Sequence, residues 1–299
     1  MQKTGLHTCS VQTAKLIIDY HYNSKKVIIL ENSSKFKIID MHAHIFPDKI
    51  AEKAVDSIGK YYGIKMRHSG TVAGLLESGC KIGVCRYVIH SSATTVEQVK
   101  AINDYVSGVQ ASHPEFVGFA TLHPALKDVK YEVDRIIGLG LRGIKLHPEF
   151  QHFSIDDEDM MPIYEAVEGR LPVLMHMGDQ NVDSSSPVRL ARVLEKFPEL
   201  VVIAAHFGGY RMWDLSCEYL VGRKNVYLDT SSSLDFISPE FAVQMIREHG
   251  ADRILFGSDY PMWDHKDELH KFLALDLTDE ERRAILSENA EKLLEGVTS

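Results

Sequence analysis

The chain has 299 residues, a formal net charge of −9, 44% hydrophobic residues and 25% charged residues. These proportions are ordinary for globular proteins and exclude a disordered chain. The acidic balance argues against nucleic acid or an anionic membrane as a partner, because both bind basic surfaces. The sequence contains no apolar run near the roughly 20 residues that a membrane-spanning helix needs.

The first 35 residues differ from the repeating pattern that follows, and we treat them as an N-terminal extension, 1–35. Residues 15–22 and 27–31 are typical of two strands in a β-hairpin. A poorly ordered leader is the alternative interpretation. The sequence shows neither a secretory signal nor a disulfide framework, so we expect a cytoplasmic protein whose four cysteines are reduced and mostly buried.

From residue 36 to residue 299 the chain alternates short apolar segments with longer amphipathic ones. Eight segments are apolar and β-branched, as in strands that are buried on both faces of a parallel sheet. They span residues 37–42, 85–90, 117–122, 143–146, 173–176, 201–206, 226–229 and 253–258. Their ends lie about 31 residues apart, the length of a strand–helix unit. The pattern predicts an α/β fold, a (β/α)8 TIM-type barrel, as one catalytic domain.

Helices are predicted between these strands, at residues 95–112, 187–196 and 239–249. The last two begin with proline, which is favourable at the first helical position. Ser238 is the expected N-cap of the third helix, which should end at Gly250. The long interval after the first strand predicts extra helices over residues 47–80. A doubly wound open sheet is the alternative, but it would need a glycine-rich phosphate loop after the first strand, and the sequence has none there.

Side chains that bind metals stand at the ends of four predicted strands. His42 and His44 are two residues apart on the first strand, so their side chains point to the same side. His176 and His206 end the fifth and sixth strands, and Asp259 follows the eighth. Barrel active sites lie at the carboxyl ends of the strands, and this donor set suits a divalent transition metal. The sequence therefore predicts a metal site at the C-terminal rim.

This ordered set resembles the amidohydrolase superfamily of metal-dependent barrels over residues 36–296. More narrowly, the chain resembles the amidohydrolase-related branch that includes aminocarboxymuconate-semialdehyde decarboxylase. The segments that carry the narrower resemblance are GIKLHP at 143–148, AHFGG at 205–209, VYLDTS at 226–231, GSDYP at 257–261 and SENA at 287–290.

The resemblance implies a role for each of the five residues. His42, His44, His176 and Asp259 would bind one divalent metal ion. Asp259 would also take a proton from metal-bound water, and His206 would act as acid/base or oxyanion partner. Zinc is the expected metal because three histidines and an aspartate suit it, with manganese, iron and cobalt as alternatives.

Lys145 ends the fourth strand, where binuclear members of the superfamily carry a carboxylated lysine between two metals. A second metal is therefore an alternative, although a cation that binds a substrate carboxylate or pairs with a nearby acid is favoured. His147 shares the parity of Lys145, while Arg211 and Trp213 follow the sixth strand, where they would hold an acidic or planar substrate. Simple packing is the alternative role for each of these residues.

The sequence predicts a metal-dependent hydrolase that uses a metal-activated water on an amide, ester or lactone of a small carboxylic acid. A lyase of the same fold is the alternative, as a non-oxidative decarboxylase or hydratase of an unsaturated or aromatic acid. A non-enzymatic binding barrel is disfavoured by His206, since a structural metal site would be closed by protein ligands. The expected partners are a small-molecule substrate and, as an option, further copies of the chain.

Overall fold

Parallel strands and helices alternate through residues 35–296, the part of the chain that the computed structural model describes. Each strand pairs in parallel with the next one along the chain, except at the β3–β4 junction. The strands are β1 (Ile38–His44), β2 (Val84–His90), β3 (Phe116–Gly118), β4 (Ala120–Thr121), β5 (Ile144–Leu146), β6 (Val173–Met175), β7 (Val202–Ala204), β8 (Val226–Asp229) and β9 (Ile254–Leu255).

Strands β3 and β4 are two halves of one barrel strand, separated at Phe119. The first half pairs with β2 and the second with β5, and the Phe119 amide donates to the carbonyl of Ile89 at 2.9 Å. The barrel closes where the amide of Met41 donates to the carbonyl of Phe256 at 2.9 Å. The predicted (β/α)8 barrel is confirmed, and its eight strand positions lie within residues 35–296.

Helices cover the outside of the barrel. They are α1 (Asp48–Tyr62), α2 (Val72–Cys80), α3 (Gln98–Ser112), α4 (Val129–Gly138), α5 (Pro148–Gln151), α6 (Met161–Val167), α7 (Pro187–Lys196), α8 (Trp213–Tyr219), α9 (Pro239–His249), α10 (His265–Leu273), α11 (Asp279–Arg283) and α12 (Asn289–Glu295). Helix α7 buries residues at helical spacing, namely Pro187, Leu190, Ala191, Val193 and Leu194.

The predicted helix boundaries agree closely with the structure. Helices α7 and α9 have the predicted bounds, α1 and α2 occupy the predicted 47–80 region, and α3 begins three residues later than predicted, at Gln98. The Ser238 hydroxyl accepts from the amide of Phe241 at 3.2 Å, as an N-cap should. The predicted strands at 15–22 and 27–31 lie outside the described residues, so the division at residue 35 remains a prediction.

An apolar cluster fills the inside of the barrel. Alternate strand residues point into the barrel, including Ile39, Met41, Leu174, Ile203 and Leu255. Helix α12 adds Ala290, Leu293 and Leu294 to this inner cluster, beside Val201 and Tyr227 at the amino ends of the strands. The opposite end of the barrel is therefore the one left free for polar side chains.

The expectation of mostly buried cysteines is wrong for the described part of the chain. Cys80 and Cys85 are exposed, Cys217 is partly buried, and all three are free thiols. The exposure of Cys85 follows from its position, because the second and third residues of β2 are exposed and only its later residues are buried. Within residues 35–296, no helix is long and apolar enough to cross a membrane.

Asn289 links the last helix to the closing strand and provides a test of this arrangement. Its side-chain amide donates to the carbonyls of Ala251 at 2.7 Å and Ile254 at 2.8 Å. Asn289→Ala leaves both carbonyls without this donor, and we expect the free energy of unfolding to fall by about 1–3 kcal/mol in urea titrations. Gln244→Ala, on the exposed face of α9, should change it by less than about 0.5 kcal/mol. An equally small effect for Asn289→Ala would contradict this role.

Candidate metal centre

The five residues predicted to form a metal site come together at the C-terminal rim. The Nε2 atoms of His42 and His44 are 3.3 Å apart. Asp259 Oδ1 lies 3.5 Å from Nε2 of His42 and 3.4 Å from Nε2 of His44. On the facing strands, Nδ1 of His176 is 3.0 Å from Nε2 of His206. Side chains from four separate strand ends therefore converge on one position.

Hydrogen bonds on the far side of three imidazole rings set their tautomers. His42 Nδ1 lies 2.8 Å from Asp229 Oδ2, and an ionised carboxylate can only accept. His206 Nδ1 lies 3.2 Å from the carbonyl of Ser231, and His176 Nε2 lies 3.2 Å from the carbonyl of Gly178. Because each of these ring nitrogens lies beside an acceptor, we assign the ring proton to it, and this proton points away from the centre. The lone pair of the other ring nitrogen then points into the centre.

This convergence of lone pairs fits a bound cation. Two acceptor nitrogens that face each other at 3.0 Å, as in His176 and His206, repel each other unless a positive charge lies near them. Tetrahedral metal–nitrogen distances of about 2.0–2.1 Å place neighbouring ligand atoms about 3.3–3.4 Å apart. The atoms of His42, His44 and Asp259 lie 3.3–3.5 Å apart. The donor set therefore fits a divalent metal ion.

Burial gives these ligands the ionisation states that metal binding requires. Burial, with the charge of Lys145 as a second cause, lowers the pKa of His42 to about 4. Burial also lowers the pKa values of His44 and His176. Burial alone would raise the pKa of Asp259, but His42 and the hydrogen-bonding His44 outweigh it and lower that pKa well below the usual range. At neutral pH the centre therefore offers neutral imidazoles and an ionised carboxylate.

Asp229, at the end of β8, holds this arrangement together. Besides the bond with His42 Nδ1, its carboxylate accepts hydrogen bonds from the backbone amides of His206 and Ser231, at 3.0 Å each, and from the Ser231 hydroxyl. Burial would raise the pKa of Asp229, but the neighbouring His42 and these hydrogen bonds lower it to about 2. Asp229 ends the predicted strand at residues 226–229, and the sequence pattern gave it no role. A carboxylate at the carboxyl end of a barrel strand was the signal that could have identified it.

Two residues of the centre have backbone conformations that side chains rarely adopt. The φ angle is 60° at His206 and 55° at Asp259, in the left-handed region that favours glycine. The conformation at His206 is held by a hydrogen bond of 3.0 Å from its backbone amide to the Asp229 carboxylate. Such strained positions cluster at functional sites, because the surrounding structure must hold them in place.

Lys145 is fully buried at the centre. Its Nζ lies 3.1 Å from Nε2 of His42, and burial lowers the pKa of this lysine to about 8. It is not among the described residues that line the cavity above the centre. This position does not support the favoured role as a cation for a substrate carboxylate. The alternative, a carboxylated lysine with a second metal, remains a prediction.

The other three candidate substrate contacts are placed differently. His147 lines the cavity, and its ring stacks on His176 with centroids 3.9 Å apart. Arg211 instead lies over the Phe236 ring, with its guanidinium carbon 3.9 Å from the ring centroid. Trp213 Nε1 donates to the carbonyl of His206 at 3.0 Å. Within the described chain, neither Arg211 nor Trp213 lines the cavity, so their expected substrate contacts are not supported.

Tyr62 and Glu149 border the centre and were not singled out in the sequence. Tyr62, from α1, places its hydroxyl 3.1 Å from His147 Nε2 and 3.3 Å from His176 Nε2. Glu149 Oε2 lies 3.3 Å from His147 Nδ1, while the hydroxyl of Ser184 donates to its other oxygen at 2.8 Å. Tyr62 and Glu149 come from two separate helices, α1 and α5, so sequence spacing gave no indication that they meet.

A family model and several solved structures match this chain. The family model described as Amidohydrolase matches residues 39–296. A TIM-barrel protein from Bordetella bronchiseptica is 23% identical, with a TM-score of 0.75 over 88% of this chain and 99% of that chain. A 2,6-dihydroxybenzoate decarboxylase from Rhizobium is 19% identical, with a TM-score of 0.66 over 87% of this chain and 99% of its own.

A third similar structure is a dihydroxybenzoic acid decarboxylase from a Polaromonas species, with bound manganese and the inhibitor 2-nitroresorcinol. It is 18% identical, with a TM-score of 0.66 over 88% of this chain and 98% of that chain. At these identities the three structures show that the fold is shared.

Asp229→Asn tests whether the buried carboxylate sets the ligand tautomers. The amide conserves shape but can present an N–H to His42, so we expect divalent metal affinity to fall about 10–100-fold. Competition with a chromophoric chelator measures this, and circular dichroism checks the fold. Asp235→Asn, at an exposed carboxylate that pairs with Lys271, is the matched control.

A His42→Ala/His44→Ala double variant shows the lowest metal affinity that the chelator competition should detect. We expect it to fold and to retain little metal, because the apolar core lies below the rim. Unchanged affinity in Asp229→Asn, or full metal occupancy in the double variant, would contradict the centre described above.

Proposed function

Because the chain belongs to the amidohydrolase family, we propose that it is a metal-dependent lyase that removes carbon dioxide from an aromatic or unsaturated acid without an oxidant. The observation that carries the proposal is the convergence of the lone pairs of His42, His176 and His206 beside an ionised carboxylate, beneath an apolar cavity. The likeness to decarboxylases that act on dihydroxybenzoate supports decarboxylation over hydrolysis.

We infer that the metal is bound by His42, His44, His176 and Asp259. Manganese has support from the Polaromonas structure, and zinc from the nitrogen-rich donor set. When bound, the ion would act as a Lewis acid that holds the oxygen atoms of the substrate. The buried carboxylate of Asp229 would keep His42 in the tautomer that binds it.

His206 is proposed to move the proton that the reaction requires. Decarboxylation breaks the bond between the substrate carbon and its carboxylate, and the electron pair stays on that carbon, which must then gain a proton. His206 lines the cavity and turns Nε2 towards it, while Ser231 holds its other nitrogen. This nitrogen can take up a proton and deliver it to the carbon.

The cavity walls suit the departure of a neutral product. Ile58, Ile64, Met66, Phe150 and Met262 supply the apolar part of the cavity wall. Such a wall excludes water from the charged centre and strengthens the electrostatic interactions inside it. Carbon dioxide is uncharged, so its release loses no ion pair with the protein.

Hydrolysis by a metal-activated water remains the second candidate. The match to the family described as Amidohydrolase favours it, and the same centre could hold hydroxide beside Asp259. In that case the substrate would be an amide, ester or lactone, and no carbon dioxide would form.

A cytoplasmic location remains part of the proposal.

The proposal predicts metal-dependent release of carbon dioxide from hydroxybenzoic acids. Dipicolinate should abolish the release, and added Mn²⁺ or Zn²⁺ should restore it. His206→Ala should retain the metal and lose about 10²–10⁴-fold in turnover, the usual contribution of general acid–base catalysis. Coupled carbon dioxide detection and elemental analysis provide the two measurements.

Two results would overturn this function. Cleavage of esters or lactones, with no carbon dioxide from any acid of the panel, would establish the hydrolase instead. Full turnover by protein that is verified to be metal-free would remove the metal from the reaction. Loss of metal from His206→Ala would make His206 a ligand and favour the binuclear alternative with Lys145.

A further inference from the structure

The charges around the cavity are distributed very unevenly. Among the described residues that line it, there is no lysine and no arginine. Asp259 lines the cavity, and Glu149 lies directly behind the stacked rings of His147 and His176. Apart from a bound metal, the described wall of the cavity therefore presents a carboxylate and no lysine or arginine.

Three nearby cations each contact another side chain. Arg211 stacks its guanidinium on Phe236 at 3.9 Å. The ammonium of Lys271 pairs with Glu268 at 2.7 Å. Lys145 is buried at the centre, with its Nζ 3.1 Å from Nε2 of His42. None of these three groups borders the space that a substrate would fill.

The segment after α1 shows the same separation of charge. Ile64 and Met66 line the cavity, whereas Lys65 and Arg67, which alternate with them, are exposed. Arg67 pairs with Asp267 on α10 at 3.1 Å. This segment therefore presents apolar side chains to the cavity and basic ones to solvent.

We propose that the cavity selects substrates that carry a single anionic group, bound at the metal, on an otherwise uncharged apolar body, and that it rejects dicarboxylates. This inference rests on the proposed function and adds the substrate class to it. A second carboxylate would lose its hydration against Ile64, Met66 and Met262 and would gain no cationic partner. The buried carboxylate of Glu149, behind the ring of His147, would repel it.

Three non-reacting probes test this selection. In 2-nitrophenol the nitro group stands where the reacting carboxylate would be, and it cannot leave as carbon dioxide. The second probe, 4-hydroxy-3-nitrobenzoate, adds a remote carboxylate, and its methyl ester has a similar shape without the charge. Isothermal titration calorimetry on the Mn²⁺-loaded protein measures the binding of each. We expect 2-nitrophenol and the ester to bind, and the acid to bind at least about 100-fold more weakly than the ester.

A cation placed on the apolar wall should reduce the discrimination. In Met66→Arg we expect the acid to gain at least about tenfold in affinity, while 2-nitrophenol changes little. Met66→Gln is the matched control, with a polar side chain of similar length and no charge. Ile64→Arg, at the other half-buried position of the same segment, repeats the test if Met66→Arg does not fold.

The possible results distinguish a failure of the substrate selection from a failure of the proposed function. Equal binding of the acid and its ester overturns the selection and leaves the proposed function standing. Failure of both arginine variants to strengthen binding of the acid overturns the electrostatic cause. If none of the three probes binds the metal-loaded protein, the proposed function fails and the inference fails with it.

Discussion

The bond between the Asp229 carboxylate and the Nδ1 of His42 is the interaction on which the centre depends. A carboxylate buried without solvent is costly unless its oxygen atoms are fully hydrogen-bonded. Asp229 meets this condition through one ring nitrogen, two backbone amides and a serine hydroxyl. The same four bonds orient His42 and hold the strained turn at His206. The hydrogen bonds that stabilise the buried carboxylate are therefore the same ones that fix the geometry of the metal ligands.

The barrel supplies the rigidity for this arrangement. Its interior is filled by apolar side chains, and α12 packs Leu293 and Leu294 against the amino ends of the strands. Only the carboxyl ends are free to carry polar residues, and parallel strands direct all of these ends to one rim. Donor atoms from residues as distant as His42 and Asp259 can then lie 3.5 Å apart.

Much of the fold was predictable, because both faces of most strands are buried. The apolar runs that end at His176 and His206 had to be inner strands, and their spacing left room for one helix each. The five metal-site residues followed from the same reasoning, since each stands at a strand end. Glu149 and Tyr62 did not, because they meet the centre through loop and helix placement that leaves no periodic pattern. Arg211 was misplaced because its stacking on Phe236 depends on a tertiary contact.

The central claim is that one metal ion lies among His42, His44, His176 and Asp259. Anomalous diffraction from crystals of the Mn²⁺-loaded protein tests it most directly. The account predicts one strong peak per chain, about 2.0–2.2 Å from Nε2 of His42 and His44, Nδ1 of His176 and a carboxylate oxygen of Asp259. No peak at this position, or a peak that leaves His176 and Asp259 outside coordination distance, would contradict it.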